Sequence, residues 1–340
     1  MSLLSPKERL AGVLKKDKTD RPPVICTGGM MNAAIVDVMR KTGHTLPEAH
    51  QDAGLMAELA YDVFANTGFE NLGIPFCMTV EAEVLGSEIN FGSLSCEPKI
   101  EKEAFPSVSM VEFKDPEKMM NSGRIETIVQ ACYRLARKNP DIPVIGNLSG
   151  PISLAASIVE PMKFLRELRK NSENAHRVLD YVSSFLIQYA RLMVDNGAAV
   201  ISIGDPTATG EILGPQMFEE YAVRYLNKII DALQAHDAYV IVHICGNMNK
   251  VRHLLQQIRS DAISTDAMVS LPQLKQDFPG LTTMGNLSTY LLEFGPADKV
   301  ARQAANLVRD GVDIISPACG LSTSTSLENI RAMTRAVKDY

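Results

Sequence analysis

His243 and Cys245 stand two residues apart at the end of the run Tyr239-Val-Ile-Val-His-Ile-Cys-Gly-Asn247. The residues leading into His243 are aromatic or β-branched, the composition of a strand covered on both faces, and Gly246-Asn247 supply the break that ends it. Side chains two apart in a strand share a face. An imidazole and a thiol therefore look into one space, which is half of a tetrahedral zinc site. The other half calls for a soft ligand from elsewhere in the chain. Cys319, in Gly311-Val-Asp-Ile-Ile-Ser-Pro-Ala-Cys319-Gly320, is the best candidate, because it too follows a short β-branched run and precedes a glycine. Three protein ligands with a fourth position left open are the pattern of a catalytic zinc rather than a structural one. The competing interpretation is that His243 and both cysteines fill a core, since free cysteine is among the most buried residue types.

The elements that must position these residues follow a regular rhythm. Apolar, β-branched runs begin near residues 24, 72, 143, 199, 239, 262, 281 and 312, and helical patterns separate them. Eight strands alternating with helices are the signature of an α/β fold of the (β/α)8 TIM barrel type. The helices expected are roughly 4–17 (Ser5 as N-cap, Pro6 in the first turn), 31–40, 47–67, 122–138, 152–196, 215–235, 248–258, 271–278, 296–309 and 326–338. Between Val80 and Ile100 the pattern changes to short alternating pieces divided by glycine, Ala82–Gly86 and Glu88–Gly92. A β-hairpin inserted after the second strand, at about residues 80–100, is the expected result. The whole chain, 1–340, reads as one barrel domain carrying that insertion.

In such barrels the chemistry sits where the strands end. Those ends read Thr27-Gly28-Gly29, Asn147-Leu-Ser149-Gly150, Gly204-Asp205, His243-x-Cys245, Thr265-Asp266, Gly285-Asn286 and Pro317-Ala-Cys319-Gly320. The expected ligands thus come from the fifth and eighth strands and share one mouth.

Composition narrows the classes. The chain has 340 residues, 46% of them hydrophobic and 22% charged, which suits an ordinary globular core. A formal net charge of −6 with no long basic run argues against nucleic acid as a partner. No apolar run is long enough to span a bilayer and none resembles a signal peptide, so the expectation is a cytoplasmic protein without a membrane partner. Six cysteines scattered over the chain do not form a disulfide framework, and a reducing compartment leaves them available for metal or core.

A zinc held by two thiolates and one imidazole is electron-rich and a weak Lewis acid towards water. It is well suited to bind a thiol, take its proton away and keep the sulfur nucleophilic. Alkyl transfer to sulfur is the chemistry that fits. At this point the sequence resembles a known family. The His243-x-Cys245-Gly turn, the distant Pro317-x-Cys319-Gly-Leu followed by Ser326-Leu-Glu-Asn-Ile330, the pair Gly285-Asn286 and the early Val80-Glu-Ala-Glu83-Val-Leu-Gly86 together look like the methylcobamide:coenzyme M methyltransferases of the uroporphyrinogen decarboxylase superfamily. The resemblance covers essentially the whole chain. It implies a zinc on His243, Cys245 and Cys319, a small-molecule thiol acceptor such as coenzyme M bound as a thiolate, and a methylcobamide donor carried by a separate small corrinoid protein. A second possibility within the superfamily runs the other way, demethylating a small methoxylated or methylated compound onto the corrinoid. The decarboxylase branch matches less well: its polyanionic substrate calls for cations after the first strand, where this chain has Thr27-Gly-Gly-Met-Met-Asn32 and no cation before Arg40. A barrel that has lost catalysis and serves only as a binding subunit is the remaining alternative.

The other polar residues at the mouth carry weaker signals. Asp205 and Asp266 either orient His243 or cap helices. Glu83 is a candidate exchangeable fourth ligand, or else a solvated hairpin residue. Asn147, Ser149, Asn247 and Asn286 either bind substrate or turn the chain. Gly28 and Gly29 permit close approach of a ligand without forming a dinucleotide fingerprint. Cys26 and Cys77, in strands, are expected in the core.

Overall fold

The computed structural model describes residues 3–27 and 35–340. Seven of the expected staves form one parallel sheet: β1 (Leu72–Ile74), β4 (Val144–Ser149), β5 (Val200–Gly204), β6 (Tyr239–Ile244), β7 (Ala262–Thr265), β8 (Thr283–Leu287) and β9 (Ile314–Pro317), joined in that order. Two further strands, β2 (Glu88–Asn90) and β3 (Lys99–Lys102), pair with each other as an antiparallel hairpin after β1.

The eighth stave is residues 23–26, reduced to little more than a bridge. Val24 pairs in parallel with Ile315 of β9, with Ile25 N donating to Ile315 O (3.0 Å) and Ile315 N to Pro23 O (2.9 Å). On its other side the Asn71 carboxamide does the work of a neighbouring peptide: Cys26 N donates to Asn71 Oδ1 and Asn71 Nδ2 to Cys26 O, both at 2.9 Å. Pro22 and Pro23 have no N–H to give a longer ladder. The barrel is closed all the same.

The inside of the barrel is layered. Near the N-terminal end Ile25, Ile145, Val200, Ile241, Met284 and Ile314 pack together, and helix Pro6–Leu14 seals that end with Leu10, Val13 and Leu14. This helix starts as its sequence dictates: Ser5 and Glu8 form a reciprocal capping box, with Pro6 in the first turn. Side chains two residues further along each stave point the same way, and there the lining turns polar, with Ser202, His243, Ser264 and Ser316 around one cavity. A plug of branched apolar residues beneath a polar ring is what places chemistry at the C-terminal mouth. Outside the staves, a second and larger core packs the helices against the wall.

Three expectations are corrected here. The hairpin is present but begins later, at Glu88, and its second strand is Lys99–Lys102; Val80–Val84 is a helical turn. The alternation Val-Glu-Ala-Glu-Val imitates a strand, yet residues two apart on a helix point about 200° apart, and the two glutamates do find separate partners. The helix expected over 248–258 is only a short 3₁₀ stretch, Arg252–Gln257. Conversely, helix Thr289–Phe294, capped by Ser288, was not expected.

Candidate metal centre

His243 lies on β6 directly opposite Ser264 of β7. That register puts the Ser264 hydroxyl 2.9 Å from His243 Nδ1, leaving Nε2 aimed at the barrel mouth, 2.9 Å from Cys245 Sγ. Cys319, carried by the loop after β9, brings its Sγ to 3.1 Å from that of Cys245. One nitrogen and two sulfurs thus lie within 4.8 Å of one another. All three residues are half-buried and both thiols are free. Metal–ligand bonds of about 2.0–2.3 Å to imidazole nitrogen and thiolate sulfur allow one ion to reach all three donors.

The electrostatics of the pair suit the same purpose. Cys319 is pulled down to about 4 by the hydrogen bond it shares with Cys245 and by His243, against the opposing effect of burial. Cys245 moves up, because it holds the shared proton and because burial disfavours a second bare thiolate beside the first. A metal ion bound there would displace that proton and pair with both sulfurs. The cavity they face is narrow, about 30 Å³, and its wall includes Met78, Pro206, Met284 and Pro317. No Lys or Arg lines it among the described residues.

The other residues singled out from sequence divide sharply. Asp205 does not reach the His243 ring. Its carboxylate accepts from Ile152 N (3.2 Å), Ser153 N (2.8 Å) and Ser153 Oγ (2.6 Å), capping helix Pro151–Ile158, while burial raises its pKa to about 6. A side chain at Gly150 would put a Cβ 2.4 Å from this carboxylate, so only glycine fits there. Asp266 accepts from Met268 N (3.1 Å) and shapes its own turn. Asn286 donates to Asp266 O (2.8 Å) and Val269 O (2.7 Å), fastening that turn to β8. Asn247 caps a turn by accepting from Asn249 N at 2.9 Å. Asn147 donates to Ile74 O (3.2 Å) across the β1–β4 pair, and its buried Oδ1 has no hydrogen-bond partner among the described residues. Gly28 and Gly29 lie outside the described residues.

Glu83 is not among the three converging ligands. It sits on the Val80–Val84 turn and its carboxylate pairs with the buried Arg124. The same guanidinium donates to Thr79 Oγ1 (2.9 Å) and to Cys77 Sγ (3.3 Å), and lies 5.0 Å over the Phe91 ring. Cys77 is buried, as expected of a core residue, and its thiol is held at about 6: burial raises its pKa, and the Arg124 charge, His50 and the Thr79 hydroxyl lower it by more. Glu81, the other glutamate of the turn, is buried, accepts from Ser149 N at 2.8 Å, and is raised to about 7, chiefly by burial. Glu97, on the hairpin loop, is raised by burial and by the sulfurs of Cys77 and Cys319, so it stands within electrostatic reach of the centre.

A family model for uroporphyrinogen decarboxylase (URO-D) matches residues 5–340. The chain belongs to the uroporphyrinogen decarboxylase family. Within that family it is 34% identical to a methylcobamide:CoM methyltransferase of Methanosarcina acetivorans, over all of this chain and 99% of the relative. It is 27% identical to a methylated-thiol–coenzyme M methyltransferase of Methanosarcina mazei, over all of this chain and 90% of that one. The solved structure of a methyltransferase from Methanosarcina mazei superposes with a TM-score of 0.92 at 29% identity, covering 99% of each chain. The family's barrel is therefore the fold of this chain along its whole length. No helix among the described residues is long and apolar enough to cross a membrane.

Proposed function

We propose that the chain works as a single barrel domain that transfers a methyl group from a methylated corrinoid, presented by a small carrier protein, to a small thiol, using a zinc ion held by His243, Cys245 and Cys319. The observation that carries this reading is the convergence of one imidazole and two free thiols at the mouth of a barrel whose full-length relatives are methylcobamide:CoM methyltransferases. A zinc ion bound there supplies a centre that lowers the thiol's pKa while leaving its sulfur nucleophilic.

The chain's own residues do the rest. Ser264 fixes the His243 ring so that Nε2 is the free donor, the orienting role such partners play around a metal. The polar ring above the apolar plug holds the acceptor at the end of the staves, and Met78, Pro206, Met284 and Pro317 keep bulk water off its sulfur. The narrow cavity admits a thiol arm but not a corrin macrocycle, so the donor lies across the open mouth. As the sulfur–methyl bond forms, the cobalt–carbon bond breaks with its electron pair staying on cobalt, which leaves as Co(I), and the thiol proton goes to solvent. A reducing cytoplasm is the compartment that keeps both ligand thiols available.

Loss of methylcobalamin absorbance on adding thiol tests this. The wild type is expected to demethylate it only when a thiol is present, and Cys319→Ala to lose at least about 100-fold in rate, beyond what removing a mere outer partner of a metal ligand costs. Equal rates in the two proteins would refute the assignment.

A further inference from the structure

A groove of about 410 Å³ runs beneath the hairpin and shares Met78 and Pro206 with the wall of the metal cavity. Its polarity is one-sided. Five hydroxyl residues line it, Thr207 among them, and the other four send their protons into the protein: Thr79 to Cys77 Sγ (3.3 Å), Ser149 to Met78 O (3.2 Å) or Glu81 Oε2 (3.3 Å), Ser153 to Asp205 Oδ1 (2.6 Å), and Ser157 to Ser153 O (2.8 Å). Lone pairs are what those four have left to offer a ligand. The carboxylates of Glu97 and Glu103 complete the wall, and the one cation on it among the described residues is the exposed Lys99. Glu97 is half-buried, on a loop pinned beside the Cys319 segment by Thr323 Oγ1 donating to Ser95 O at 2.9 Å.

We propose that this groove holds the body of the thiol acceptor and selects one whose tail ends in a hydrogen-bond donor, an ammonium group first of all, with Glu97 as its partner. An anionic tail would face the two carboxylates and the lone pairs of those four hydroxyls, with only the exposed Lys99 and the Thr207 hydroxyl to offset them, an arrangement that disfavours it. The assignment rests on the methyl-transfer reading only for why a thiol enters the cavity; the polarity of the groove stands apart from it.

Two thioethers with the same two-carbon arm, 2-(methylthio)ethylamine and 2-(methylthio)ethanesulfonate, are the matched probes, titrated calorimetrically at neutral pH into the zinc-loaded full chain. The amine is expected to bind at least about tenfold more tightly, the worth of one hydrogen bond to a charged, half-buried partner. Glu97→Gln should weaken the amine by a similar factor and leave the sulfonate unchanged or tighter. Tighter binding of the sulfonate by the wild type, or an unchanged ratio in Glu97→Gln, overturns the assignment. The same samples are assayed with methylcobalamin and the parent thiols, cysteamine and 2-mercaptoethanesulfonate. Amine binding without demethylation by either thiol would leave the groove assignment standing and remove the methyl-transfer reading.

Discussion

Two cysteine clusters sit at the barrel mouth, and their surroundings differ in kind. At the first, Cys245 and Cys319 face each other and His243 across a cavity, and the donors around them number fewer than their lone pairs. At the second, Cys77 is buried and its sulfur accepts from the Arg124 guanidinium and the Thr79 hydroxyl. Both environments favour a thiolate. The first leaves its lone pairs directed at a space where a cation fits, whereas the second has already spent them on fixed donors and has no opening. A depressed thiol pKa alone therefore does not mark a ligand; converging lone pairs and an open face do.

The contrast can be broken at the second cluster first. Arg124→Ala leaves the carboxylate of Glu83 and the Cys77 sulfur without their shared cation, and removing one partner of a buried pair costs about 3–5 kcal/mol. Denaturant unfolding should show that loss, with metal content unchanged; a stable variant that has lost its metal would mean the two clusters are one. At the first cluster, Ser264→Ala frees His243 Nδ1 and should weaken metal affinity by about 10–100-fold, read by competition with a chelator, at little cost in stability. Unchanged affinity would show that the imidazole is oriented by its strand alone.

A subtler test concerns pH. The Cys77 pKa is lowered on folding from 9.0 to about 6. Its contribution is therefore full above the unfolded value and lost as pH falls through the folded one. Wild-type stability should decline from pH 9 to 6, and Cys77→Ser should flatten that decline; identical slopes would show a neutral thiol. The smallest effect belongs to Glu83→Gln. Glu83 is partly exposed, and without its charge the buried Arg124 still donates to Cys77 and Thr79, so a loss of about 1 kcal/mol or less is expected, with zinc content intact. Zinc lost from this variant would restore Glu83 as a ligand.

What was legible in the sequence follows from the range of the interactions. Strands buried on both faces leave continuous β-branched runs, so seven staves could be placed within a few residues. The eighth was found by composition, although two prolines shorten its ladder and an asparagine side chain stands in for a neighbouring peptide on one side. His243 and Cys245 were legible as a pair because two-residue alternation is local, and Cys319 because it repeats the same strand-then-glycine context. Ser264 was not, since its partnership with His243 depends on the register between neighbouring strands. Arg124 was hidden for a similar reason: it is 47 residues from Cys77 and starts a helix whose sequence says only that it is amphipathic. The acids and amides at the strand ends were ambiguous by nature, and Asp205 proved to cap a helix belonging to an earlier stave rather than the one that follows it.

The most direct test of the central claim is metal analysis of the purified chain beside two variants, Cys245→Ala and Cys77→Ala. One zinc per chain in the wild type, kept in Cys77→Ala and lost in Cys245→Ala, is the result expected if ligand and structural thiolates are divided as described. No zinc in the wild type, or equal zinc in all three proteins, would contradict it.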